Sequence, residues 1–158
     1  MQRSAQLSRC GRYRYSLSRA WGCGAAVAFI GLNPSTADAN EDDPTIRRCV
    51  RFAQSWGFDG LLMLNAFAFR STDPGVLFEA PDPVGPGNDR ALRRGCRQAS
   101  LIIAAWGNHC PENRLAQIRN LTEKPLHCLI RNQNGSPRHP LYVHSSTVPV
   151  LYADPATG

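Results

Sequence analysis

The chain has 158 residues, 42% of them hydrophobic and 19% charged, and its 18 Lys and Arg outnumber 12 Asp and Glu for a net charge of +6. That length suits a single domain spanning 1–158, with a globular core at about residues 12–143 and irregular termini; a domain of this size buries roughly two thirds of its unfolded surface. No apolar stretch is long enough for a transmembrane helix, and the basic start from Met1 to Tyr15 lacks an apolar signal core, so a cytoplasmic, monomeric protein without membrane contact is expected.

The cationic side chains are lopsided, because Lys124 is the only lysine and all the others are arginine. Guanidinium suits planar, bidentate contact with phosphate and base edges, so a nucleic-acid or nucleotide partner is expected, although scattered arginines also fit solvated helix faces. The cysteines (Cys10, Cys23, Cys49, Cys96, Cys110 and Cys128) form no C-x-x-C pair and have no zinc-like spacing with the histidines. Neither a metal nor another cofactor is therefore expected, and cysteines at apolar positions read as small hydrophobes.

Taken in order, the first nine residues read as a frayed terminus. From Arg12 to Trp21 polar and apolar residues alternate, as in a half-exposed strand, with Tyr13, Tyr15 and Leu17 on one side and Arg12, Arg14 and Ser16 on the other. An edge strand protected by charge accounts for that pattern better than aromatic stacking on nucleic acid. Gly22-Cys23-Gly24 turns the chain into the uncharged run Ala25–Ile30, a strand covered on both faces, which Gly31-Leu32-Asn33-Pro34-Ser35 stops abruptly. After a polar loop, Asp43 caps and Pro44 opens a helix with Ile46, Cys49, Val50 and Ala53 inward, ended by Gly57.

Leu61–Leu64 is the second core strand and again runs into an asparagine, Asn65. Ser71–Gly87 is rich in proline and glycine without periodicity, and is long enough for a lid or binding loop. Asn88 is placed to cap a helix to Ala99, with Arg90, Arg93, Arg94 and Arg97 on its wet side. Leu101–Trp106 is the third strand, about Pro111–Leu121 the next helix, and Leu126–Ile130 the fourth strand, followed by a polar loop to Tyr142 and an irregular tail. The expected architecture is a three-layer α/β/α sandwich around a mostly parallel four-stranded sheet.

Parallel strands place their carboxyl ends on one rim, where ligands bind. Asn33, Asn65, Trp106 and the loop holding His139 would then meet in one crevice. A carboxamide offers a donor and an acceptor in one plane, which suits a nucleobase edge, and a histidine could stabilise charge on a departing group. Asp38 is a possible general base near the first strand. No P-loop, nucleophile elbow or dinucleotide-binding G-x-G-x-x-G is present.

The runs GLNPSTAD (31–38), DPTIRRC (43–49), NAFAFRSTDP (65–74), DPVGPGND (82–89), AAWG (104–107) and GSPRHPLY (135–142) resemble the signature of the domain-of-unknown-function family 1643. At greater depth the motif order is similar to that of the uracil-DNA glycosylase superfamily: GLNPS matches its motif after the first core strand, Leu62-Met63-Leu64-Asn65 its base-reading L-L-L-N, Ala105-Trp106-Gly107 its L-W-G, and His139-Pro140-Leu141 its closing H-P-S. That resemblance implies a uracil-DNA-glycosylase-like fold and hydrolysis of an N-glycosidic bond in DNA or a nucleotide. Asn33 would position the water, Asn65 would read the base and His139 would stabilise the leaving base, with Leu141 or Tyr142 wedging into the base stack. Gly31, Leu32, Pro34, Ser35, Arg70, Trp106 and Arg138 complete the expected substrate-binding set. The chain departs from the superfamily in lacking a carboxylate in its first motif and a serine at Leu141. A non-catalytic nucleotide or nucleic-acid binder using the same pocket is the alternative.

Overall fold

The computed structural model describes residues 1–154. Its strands are β1 (Gln2–Leu7), β2 (Arg14–Ala20), β3 (Ala26–Gly31), β4 (Gly60–Asn65), β5 (Leu101–Ala104), β6 (Leu126–Cys128) and β7 (Val150–Ala153); its helices are α1 (Pro44–Ser55), α2 (Pro74–Glu79), α3 (Asn88–Gln98) and α4 (Glu112–Thr122). The strands form one mixed sheet in the order β1-β2-β4-β3-β5-β6-β7. Its centre, β4-β3-β5-β6, is parallel, while β2 and β1 on one side and β7 on the other join antiparallel. No helix among the described residues is long and apolar enough to cross a membrane.

The expected four-stranded, mostly parallel sheet is thus corrected to a larger, mixed one. The frayed start is in fact β1, and part of the irregular tail is β7; residues 155–158 of that tail lie outside the described residues. Both strands lie at edges and have no buried residue, so no buried face imprints an alternating pattern on their sequences. The strand read as an edge, β2, lies inside the sheet between β1 and β4.

Two-residue periodicity in the central strands divides the core. Val27 and Phe29 of β3, Leu61 and Met63 of β4 and Ile103 of β5 pack with Ile46, Cys49, Phe52 and Ala53 of α1. Ala28 and Ile30, Leu64, and Ile102 and Ala104 point the opposite way, against Leu92 and Cys96 of α3 and Ile118 of α4. A strand covered by helices on both faces has no polar side, which explains the continuous apolar runs. The expected cap is present: Asp43 Oδ1 accepts from the Ile46 amide at 2.9 Å. Asn88, by contrast, does not cap α3; it is the first helical residue, after Gly87, and is fully buried. The 71–87 segment is not wholly irregular, because Asp73 and Pro74 start the short α2, whose Leu77 reaches the core.

Arg14, expected on the polar side of its strand, is buried at 2% exposure, and Arg19 further along β2 is buried at 0%. Arg19 Nε donates to Asp42 Oδ1 at 2.9 Å, while its terminal nitrogens donate to the carbonyls of Ser18 at 2.9 Å and Asp38 at 2.5 Å. One guanidinium therefore ties β2 to the loop that leads into α1. Asp42→Ala strips the fully buried Arg19 of its counter-charge and should cost about 3 kcal/mol, read as a lowered midpoint in urea unfolding with an unchanged slope.

Candidate ligand-binding site

The site grows out of the register of β3 and β4, whose last residues, Gly31 and Asn65, are paired neighbours. Alternation along β4 sends Asn65 to the same side as Leu61 and Met63, toward α1. Gly31 makes room for it, since a Cβ there would lie 3.2 Å from Asn65 Oδ1 and 3.3 Å from Met63 Cε. A cavity of about 580 Å³ opens at this rim, and Gly31, Asn33, Asn65, Trp106 and His139 all line it. The parallel strand ends thus bring together the residues expected to meet.

Asn65 is 1% exposed, and its Nδ2 is buried without a hydrogen-bond partner among the described residues. Its backbone is held hard. Asn88 Nδ2 donates to the carbonyls of Asn65 at 3.0 Å and Ala66 at 3.2 Å, and Arg114 Nε donates to Ala66 at 2.8 Å. A buried donor left unpaired costs roughly 1–3 kcal/mol, so the fold keeps an unspent carboxamide in the wall of the cavity.

Asn33 has a different setting. Its Nδ2 donates to the carbonyls of Ser71 at 2.8 Å, Pro34 at 3.2 Å and Phe69 at 3.3 Å, fastening the loop after β3 to the loop after β4. Its Oδ1 accepts no bond among the described residues and remains as an acceptor. His139 precedes a 3-10 turn, Pro140–Tyr142, and its Nδ1 accepts the Leu141 amide at 3.2 Å. A neutral ring that accepts at Nδ1 carries its proton on Nε2, which leaves a donor. Burial holds the His139 pKa below its ordinary value, against an opposing pull from Asp43, so the neutral form prevails at pH 7.

Leu32, Pro34 and Ser35 line the same cavity, as does Arg138, whose Nε donates to Asn132 Oδ1 at 2.8 Å. Leu141 and Tyr142, also in the lining, are 41% and 75% exposed. Trp106 is 3% exposed and meets Tyr152 edge-on, with centroids 6.0 Å apart. Two expected residues fall elsewhere. Arg70 is absent from the lining, and its guanidinium faces the carbonyls of Ser35 and Gly11. Asp38 is absent too; its carboxylate accepts the amides of Asn40 and Glu41, each at 2.8 Å, and these bonds hold its pKa low, which ill suits a base.

Ser71, Thr72 and Pro74 of the proline-rich loop line the cavity. The tyrosines of β2 and its approach do not stack outward: Tyr13 donates to the Asp82 carbonyl at 2.8 Å, and a Cβ on Gly87 would lie 3.1 Å from Tyr15 Cζ.

The sequence profile of a family described as a protein of unknown function, DUF1643, matches residues 14–141. The chain belongs to this family. The match starts at Arg14 on β2 and ends at Leu141, so it takes in the parallel centre of the sheet and most of the cavity lining, and leaves out β1 and β7. No curated protein and no solved structure matches the chain.

Sequence reasoning missed several lining residues in this DUF1643 domain. Asp43 reads first as a helix cap. Asn108 and Asn132 looked like loop polarity, yet they bond each other at 2.9 Å and join the β5 exit to the 131–138 loop. Arg14 looked solvated, because a charged residue in an alternating strand is read as facing water.

Two measurements check these environments. Asn88→Ala leaves the Asn65 and Ala66 carbonyls short of a buried donor and should cost about 2 kcal/mol in chemical denaturation. For His139, the unfolded ring titrates at its ordinary value and the folded ring below it, so the unfolded chain binds more protons between the two. His139 therefore contributes stability that is complete above the unfolded pKa and is lost as pH falls toward the folded one. The stability of wild type relative to His139→Gln should fall as the pH is lowered through the ordinary histidine value and below it; a constant difference would contradict a depressed pKa.

Proposed function

We propose that this cavity receives a nucleobase and that the protein hydrolyses its N-glycosidic bond, in DNA or in a nucleotide. Under this reading the helix-covered sheet is a three-layer, uracil-DNA-glycosylase-like sandwich. The observation that carries the proposal is Asn65: a carboxamide 1% exposed, with its Nδ2 unpaired, in the wall of a ligand-sized cavity. Burying such a group is costly unless a ligand completes it, and a base edge offers an acceptor beside a donor in the plane a carboxamide needs.

The neighbouring groups suit the chemistry. Asn33 Oδ1, with its amide fixed on the Ser71 carbonyl, is positioned to accept a hydrogen bond from water. As the C1′–N bond breaks, its electron pair passes to the base, and the neutral His139 donates Nε2–H to the oxygen on which charge accumulates. The water oxygen bonds to C1′, one water proton ends on the released base, and the sugar keeps the hydroxyl. Leu141 and Tyr142, exposed on their turn, are placed to wedge where a flipped base has left its stack.

A binder of nucleotide or nucleic acid without turnover is the second reading, and one observation favours it. Asp43 is the only carboxylate in the described lining, and it serves as the cap of α1 through Oδ1, which leaves Oδ2 alone to activate water. Assays of base release from uracil-containing, mismatched and damaged duplexes and from free nucleosides separate the two. Under the hydrolytic reading, Asn33→Ala and His139→Ala each slow release by about 100-fold with unchanged circular dichroism, and Asn65→Ala weakens base binding. Binding without release from any of these substrates leaves the binder.

A further inference from the structure

We propose that the cavity is built for a phosphate-bearing nucleotide, with the phosphate seated on Arg14, rather than for a neutral base or nucleoside. The base half of this proposal rests on the reading of Asn65 above; the phosphate half stands on Arg14 alone.

Arg14 begins β2 beside the exit of β4, where its amide donates to the Ala68 carbonyl at 2.9 Å. The residue is 2% exposed and lines the cavity. Its guanidinium makes one hydrogen bond among the described residues, from Nη1 to the Ala37 carbonyl at 2.8 Å. Nε is buried without a partner, and Nη2 has none among the described residues. Nε and Nη2 share one edge of the planar group, the edge that grips a phosphate or carboxylate through two parallel hydrogen bonds. The bond to Ala37 uses the nitrogen outside that edge and fixes the plane.

Arg14 also lacks a counter-charge. No carboxylate among the described residues lies within salt-bridge distance of it, unlike Arg19, which has Asp42. Asp43 and, more weakly, Asp38 act on it only through space, and Arg70 and Arg19 add positive potential. Burial pushes the Arg14 pKa down to about 10, so the group stays protonated at neutral pH and bears the cost of an uncompensated buried cation. Within the described lining, Arg14 and Arg138 face Asp43 alone, and His139 is neutral. One excess positive charge is left for a ligand to neutralise. The cavity, at about 580 Å³, falls in the range of roughly 300–1,000 Å³ typical of small-molecule sites. It accommodates a sugar phosphate as well as a base.

The test is calorimetric titration of the full chain with inorganic phosphate, a set of nucleosides, their 5′-monophosphates and a short single-stranded oligonucleotide. Wild type should bind at least one monophosphate about 10-fold or more tightly than its nucleoside, and inorganic phosphate should compete. Arg14→Gln should erase that difference, and Arg14→Lys, which keeps the charge but not the fork, should retain part of it. Equal affinity for nucleoside and monophosphate in wild type overturns the proposal without recourse to any variant. So does a monophosphate advantage that survives in a folded Arg14→Gln, or no binding of phosphate and monophosphates at millimolar concentration. Tighter binding of the oligonucleotide than of any monophosphate, still lost in Arg14→Gln, assigns the phosphate to a strand's backbone. If Asn65→Ala changes no affinity while Arg14→Gln abolishes phosphate binding, the base reading fails and the phosphate site stands.

Discussion

The site depends on how the chain leaves β4. Beyond Asn65 the sheet ladder ends, and the carbonyls of Asn65 and Ala66 are carried into the interior with no strand to pair with. Asn88 from the first turn of α3 and Arg114 from α4 supply the missing donors, and Arg114 is itself fixed by Asp89 and Gln117, each at 2.8 Å. Both helices lie on the face of the sheet opposite α1, yet their polar groups reach the strand end and set its direction. The Asn65 carboxamide, which looks toward α1, is therefore held by elements behind the sheet. Without them, two buried carbonyls would have to find water, and the strand end would move with them.

Much of the arginine content follows from the same need. A guanidinium carries five donors in a fixed plane, and in this chain it is used to bracket carbonyls where loops meet elements. Arg19 gathers Ser18 and Asp38, Arg48 bonds the Val143 carbonyl, and Arg131 bonds that of Tyr152 while lying over its ring. Lysine is a point charge on a flexible stem without that fixed plane, although Lys124 Nζ does bridge the carbonyls of Arg97 and Ala99, at 3.2 and 2.7 Å. The excess of arginine is thus not simply a footprint of nucleic acid. Arg90, Arg93, Arg94 and Arg97 do form an exposed stripe on α3, but Arg14, Arg19 and Arg114 are inside. The cavity owes its character to this economy: Asn33 is spent on loop carbonyls, whereas Asn65 and Arg14 are left with unpaired nitrogens.

Some of this architecture was legible in the residues alone. The apolar runs of β3, β4 and β5, the Asp43-Pro44 helix start and the gathering of Asn33, Asn65, Trp106 and His139 at one rim all follow from local rules. A buried parallel strand must be apolar on both faces, a helix must satisfy its first amides, and parallel strands end together. The family signature was likewise readable, because it lies in the strand-end motifs themselves.

Tertiary structure decided what depends on neighbours distant in sequence. β1 and β7 are strands only because an edge was available to pair with, and their own side chains are too exposed to announce it. Asn88 carries the signature of a cap, but the Asn65 and Ala66 carbonyls claim its amide and draw it inside. Arg14 reads as solvated in an alternating strand, and only the covering loops and β4 bury it at the cavity. A sequence records the chemistry that each residue can perform. Which carbonyl, charge or empty space it meets is a property of the packed chain, and at Asn65 and Arg14 that property separates a turn residue and a surface cation from a candidate binding site.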